Sequence, residues 1–180
     1  MSKQKKITGK ERLNLIKETL KQQNSPVTGS ELAKLANVSR QVIVQDISIL
    51  KAKEEPIVAT SQGYLYVQDN KPMMDRAVIA CKHTSEQTQE ELYIIVDHGV
   101  FIKDVTIEHT VYGEITASLH ISNRKEVDQF IQKINQSKAP FLLELTDGVH
   151  LHSIEADSTH KIEEACEALR KAGILISLEE

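Results

Sequence analysis

The sequence predicts an α+β protein built from two modules of different chemistry. Three observations carry that reading. The charge is split along the chain, helix-capping signals crowd the first third, and the remainder alternates between strand and helix periodicities. Of the 180 residues, those from 1 to 67 carry 11 Lys and Arg against 6 Asp and Glu, a balance of +5. Residues 68–180 carry 11 against 20, a balance of −9. A basic module followed by an acidic one points to two different partners.

The first module spans residues 1–68. Leu13, Ile16 and Leu20 recur at spacings of three and four and give a first helix, opened near Gly9 and Lys10, one apolar stripe. Asn24-Ser25-Pro26 ends it. Thr28 and Glu31 stand three apart as a capping box, and Val27 with Leu32 can staple that helix start. The second helix is short and stops near Asn37. Ser39 then caps a third helix, whose inward stripe is Ile43, Ile47 and Leu50. Two helices joined by a turn of this kind, the second opening on Ser-Arg-Gln, match a helix-turn-helix. In that geometry Ser39, Arg40, Gln41, Val44, Gln45 and Ser48 face the major groove. Arginine suits guanine and glutamine suits adenine. Two short strands follow, around Ile57–Ala59 and Tyr64–Val67, where a winged helix carries its wing. Thr60, Ser61 and Gln62 in the turn between them are placed to touch phosphates.

Asp69-Asn70-Lys71-Pro72 reads as a linker, and residues 72–180 as a second domain. Strand patterns cover 76–83, 101–109, 114–121 and 149–154, with a further strand possible at 174–178. Helix patterns cover 88–97, a segment after Asn123, and a last segment around Ile162–Leu169 that stops at Gly173. The order βαββαβ with an appended helix predicts a ferredoxin-like α/β sandwich.

All seven histidines lie in this second domain. His150 and His152 alternate on a strand, so both imidazoles share a face, and such a pair chelates a divalent transition metal. His83 ends the first predicted strand of the domain, beside which a neighbouring strand can bring His150. Glu91 in the next helix can add an oxygen. Three imidazoles and a carboxylate suit zinc, nickel, iron or manganese. Glu91 has a competing role, since Thr88-Gln89-Glu90-Glu91 also reads as a capping box; Glu90 is the alternative oxygen. His109, on a middle strand, reads equally as a structural or a ligand-contacting histidine.

Some classes are excluded or disfavoured. No apolar run approaches the ~18 residues of a membrane span, and no signal peptide follows the basic start, so the expected location is the cytoplasm. Two cysteines, Cys81 and Cys166, imply no disulfide framework and read as inert buried thiols. No phosphate loop, nucleophile elbow or general base beside the histidines points to an enzyme.

The stretches GSELAKLANVSRQVIVQDISILKAK, ATSQGYLY, IACKHT and LTDGVHLH together resemble the NiaR family of niacin-responsive repressors, a helix-turn-helix followed by a three-histidine (3H) domain. The resemblance covers essentially the whole chain. It implies a homodimeric repressor that binds double-stranded operator DNA of NAD biosynthesis or niacin uptake genes, with nicotinic acid as co-repressor. It implies one metal per chain, nickel or zinc, held by His83, Glu91, His150 and His152. It assigns a third family histidine to His109. Lys103 and Arg124 are the cations chosen on charge to pair with the effector's carboxylate. A metal-responsive regulator is the alternative.

Overall fold

The computed structural model describes residues 7–67 and 74–176. They fall into two compact units, Met1–Asn70 and Lys71–Glu180. The segment read as a linker, Asp69–Pro72, lies outside the described residues.

The first unit is α1 (Gly9–Gln22), α2 (Gly29–Ala36), α3 (Arg40–Ala52) and a hairpin of β1 (Ile57–Thr60) and β2 (Gly63–Tyr66). Each helix start has the cap its sequence offers. Thr8 and Glu11 form a reciprocal box at α1, and Thr28 with Glu31 forms the expected one at α2. Ser39 Oγ accepts from the Val42 amide at α3. Asn37 ends α2 in the left-handed conformation and returns its N–H to the Ala33 and Lys34 carbonyls, which makes the tight turn into α3. Ile16, Leu20, Leu32, Ile43, Ile47, Leu50 and Ile57 close one core among the three helices and the hairpin. Asp46 is buried on α3 and takes two bonds from Arg12 of α1, at 2.5 and 2.9 Å. The hairpin is pinned to the start of α2 by a reciprocal backbone pair between Val27 and Tyr64, both bonds 2.8 Å. That approach needs Gly63, at φ +143°, because a Cβ there would lie 2.5 Å from the Val27 carbonyl oxygen.

The second unit is β3 (Asp75–Lys82), α4 (Thr88–Asp97), β4 (Phe101–His109), β5 (Gly113–Ile121), α5 (Arg124–Ser137), β6 (Val149–Ala156) and α6 (Thr159–Lys171). The four strands form one antiparallel sheet in the order β3-β6-β4-β5. Leu92, Ile95 and Val96 of α4, Val127 of α5 and Ile162, Ala165 and Leu169 of α6 share a core with the inward strand residues Ile79, Cys81, Ile102, Leu119, Ile121 and Ile154. The α+β sandwich is as the sequence predicts. Its strand order is not that of a ferredoxin-like sheet, which centres on its first and third strands. Here the second and fourth, β4 and β6, are central. Periodicity fixes which residues face the core but not which strand lies beside which. The possible last strand is reduced, among the described residues, to a bridge between Leu175 and Cys81 and one bond from Ile176 N–H to the Ala80 carbonyl. Residues 177 and 178 of that prediction lie outside the described residues.

The consequence for function is register. Cys81 faces His150 and Ile79 faces His152 across β3 and β6, and Val105 of β4 faces His152 from the other side. The two histidines therefore point into the helix-covered side of the sheet, each 2 % exposed, and not to solvent.

Candidate functional site

In the first unit Ser39, Arg40, Gln41, Val44, Gln45 and Ser48 are all exposed, because the caps and the apolar stripe turn the opposite face of α3 inward. Ser48 Oγ returns to the Val44 carbonyl at 2.9 Å. In the hairpin turn Thr60 does not present its hydroxyl. It accepts from the Gln62 and Gly63 amides and donates to the Gly63 carbonyl, so it builds the turn. Ser61 and Gln62 are half-buried at the tip.

In the second unit His83, just after β3, comes together with Glu91 of α4 and with His150 and His152 of β6, all buried. Each imidazole is oriented by a carbonyl. His83 Nδ1 donates to Thr84 O at 2.8 Å, His150 Nδ1 to Gly148 O at 3.0 Å and His152 Nδ1 to Asp104 O at 2.8 Å. A carbonyl oxygen only accepts, so each Nδ1 carries the hydrogen and each Nε2 is left for other work. All three Nε2 atoms converge on Glu91: 2.7 Å from His83, 3.1 Å from His150 and 3.4 Å from His152. Adjacent rings meet edge to face, with centroids 4.8 and 5.0 Å apart.

Two structural details aim these side chains. β4 carries a bulge between Ile102 and Asp104, which presents the Asp104 carbonyl to His152. Gly148, at φ +89°, lets the turn before β6 pass under His83; a Cβ there would lie 2.3 Å from the His83 carbonyl oxygen. The same glycine's carbonyl holds His150.

Neutral imidazoles in this tautomer point lone pairs at a carboxylate, and lone pairs repel. The cluster is stable when protons or a cation sit between them. Burial works against the charged form of His83 and of His152, but the hydrogen bonds and charge of Glu91 outweigh it and raise both pKa values. Burial also opposes ionisation of Glu91, yet the charge of His152 and the bonds from the three imidazoles hold it well below the usual carboxylate range. Three inward Nε2 atoms and one carboxylate are a borderline donor set that fits nickel or zinc. The residues present therefore fit a divalent metal.

The competition at Glu91 resolves by a shift of one turn. Ahead of α4, in a 3-10 turn, Gln87 Oε1 accepts from the Thr84 amide at 3.4 Å, and Thr88 and Glu91 form no box. Glu91 is thereby released from capping, and Glu90 takes no part in the cluster. Cys81, read as inert, stands beside the site. Its sulfur, a Glu91 oxygen and a His150 nitrogen lie within 4.8 Å of one another. Burial and the charge of Glu91 push its thiol upward, so it stays protonated. The signal was available: Cys81 is two residues from His83, hence on its face of the strand.

A cavity of about 140 Å³ opens from the cluster between α4, α5 and the sheet. Glu91, His150 and His152 form one end; Leu92, Leu119, Phe130, Ile134, Phe141 and Leu143 wall the rest. Three residues proposed to contact an effector do not line it. His109 ends β4, and its Nδ1 accepts from the Val111 and Tyr112 amides of the adjoining turn at 3.2 and 3.3 Å. Arg124 is held by Asp97 through two bonds and stacks on Tyr93, 4.3 Å from the ring centre. Lys103 is the exposed residue of the β4 bulge. Charge alone marked the last two, and charge does not encode where a side chain points.

Residues 76–178 match the 3H-domain family, and residues 12–65 match an HTH domain. The transcription repressor NadR of Bacillus subtilis is 54 % identical over 178 residues, 98 % of this chain and 99 % of its own length. The probable transcription repressor NiaR of Thermotoga maritima is 42 % identical over 171 residues, 95 % of this chain and 97 % of its own. Among the described residues no helix is long and apolar enough to cross a membrane. With a helix-turn-helix in front, a 3H domain behind and full-length relatives that are repressors, the chain belongs to the NadR/NiaR family of transcription repressors, DNA-binding regulators and not enzymes.

Proposed function

We propose that this repressor senses nicotinic acid in its second domain and represses genes of NAD biosynthesis or niacin uptake in the cytoplasm. The domains act as residues 1–68 for DNA and 72–180 for metal and effector. His83, Glu91, His150 and His152 hold one divalent metal, nickel or zinc. When bound, that metal supplies positive charge and open coordination for an anionic ligand. Ser39, Arg40, Gln41, Val44, Gln45 and Ser48 read the operator, with Ser61 and Gln62 at the backbone. A homodimer places two recognition helices on half-sites about one helical turn apart.

The observation that carries the effector assignment is the cavity. An apolar cavity of roughly 150 Å³ is enough for a benzene ring, and this one measures about 140 Å³ with a single charged end. With the proposed metal bound at that end, the combination suits one aromatic ring bearing one anionic group. Nicotinate is such a ring.

The test is an operator gel shift with metal-loaded protein, titrated with nicotinate. Tighter operator binding with nicotinate is expected, and unchanged affinity would sink the assignment. The His150→Ala/His152→Ala variant is expected to lose both metal, by elemental analysis, and the nicotinate response. The cluster itself favours one second reading, a regulator whose signal is the metal. Operator binding that follows metal and ignores nicotinate would select it.

A further inference from the structure

Thr88 opens α4 and lines the cavity, 5 % exposed. Its Oγ1 is the one buried side-chain polar atom among the described residues with no hydrogen-bond partner. A helical threonine ordinarily returns its hydroxyl to the carbonyl three or four residues back. Here the carbonyl four back, Thr84 O, already accepts from the Gln87 amide at 3.0 Å and from His83 Nδ1 at 2.8 Å. Both its lone pairs are used, and one of them orients a member of the histidine cluster. The hydroxyl is thus left without a partner on a residue that lines a cavity otherwise apolar beyond its charged end.

Thr88 and Glu91 stand three apart on one helix face, which sets their Cβ atoms about 5–6 Å apart. A ring seated between them meets polar atoms at two points. In a pyridine 3-carboxylate the two polar groups are likewise separated across one six-membered ring. The histidine end, with the proposed metal held there, suits the carboxylate; Thr88, a donor among apolar walls, suits the ring nitrogen.

We propose that Thr88 is a specificity-determining residue of this cavity, donating its hydroxyl to the ring nitrogen of a pyridine carboxylate whose carboxylate faces the histidine cluster. The assignment rests on the effector reading above. It predicts that the site separates nicotinate from benzoate, which has the same ring and carboxylate but no acceptor nitrogen. The hydroxyl is unpaired before binding, so nicotinate gains one hydrogen bond there that benzoate cannot make.

The experiment uses the full-length, metal-loaded chain and calorimetric titration with nicotinate and benzoate. Thr88→Val is expected to weaken nicotinate about 10-fold, the range of one net hydrogen bond, and to leave benzoate unchanged. Metal content by elemental analysis stays that of the wild type, and Thr88→Ser keeps nicotinate binding. Without ligand, Thr88→Val melts higher than wild type, because a buried hydroxyl without a partner is destabilising. Wild-type nicotinate affinity in Thr88→Val, or equal loss of both ligands, overturns the role of Thr88 and leaves the effector reading standing. Absence of nicotinate binding by the wild-type chain overturns the effector reading, and this assignment with it.

Discussion

Glu91 shows how one carboxylate can make the same cluster respond to pH in opposite senses. Without metal, His83 and His152 have pKa values raised above the ordinary 6.5. Their contribution to stability is complete below 6.5 and disappears as pH rises through the raised values. Glu91 is depressed below its ordinary 4.5, so its contribution is complete above 4.5 and disappears as pH falls through the lowered value. The metal-free chain is therefore most stable between those two ordinary values and weakens above them. Metal needs neutral imidazoles, so metal stabilises more as pH rises. Urea denaturation from about pH 6 to 8 is expected to give a falling stability with chelator and a rising one with nickel or zinc. Parallel slopes would show that these four residues do not hold the metal.

At the scale of elements, the turn before β6 is what turns a strand pattern into a site. Gly148 passes under His83 and also holds His150. Gly148→Ala puts a Cβ against backbone at a positive φ, so something must move. A loss of at least about 1–3 kcal/mol is expected for the conformation alone, with metal affinity falling in the same variant. An unchanged melting temperature and metal content would contradict this. The LTDGVHLH run was legible as a site because alternation on a strand is a property of sequence. The caps of α2 and α3 were legible for the same reason, being local and spaced by three residues. Other features were not. Thr88–Glu91 has the spacing of a capping box, but Glu91 is engaged instead by His83, His150 and His152, two of them brought in from far along the chain. Likewise the cavity closes between segments as distant as Thr88 and Phe141, and strand order leaves no trace in periodicity. Sequence places the Thr60 hydroxyl towards DNA, but a two-residue turn has its own amides to satisfy, and the hydroxyl accepts from them.

For the whole molecule, the charge split follows the domains: the +5 balance of residues 1–67 lies with the HTH domain and the −9 balance of residues 68–180 with the 3H domain. In the proposed function, the acidic 3H domain acts on the operator through an equilibrium between states of the chain. A ligand shifts such an equilibrium only by its differential affinity for the DNA-competent state. Coupling of this kind is reciprocal: whatever factor nicotinate adds to operator affinity, operator must add to nicotinate affinity. Couplings between two sites commonly lie between about 5-fold and 150-fold. Titrating nicotinate into metal-loaded protein with and without operator is expected to show the same factor that the gel shift shows in the other direction. Equality of the two factors shows that the nicotinate measured by titration is the nicotinate that acts on the operator. A nicotinate affinity indifferent to operator, alongside an operator affinity that responds to nicotinate, would break the cycle and show that the response is not carried by the binding site in this domain.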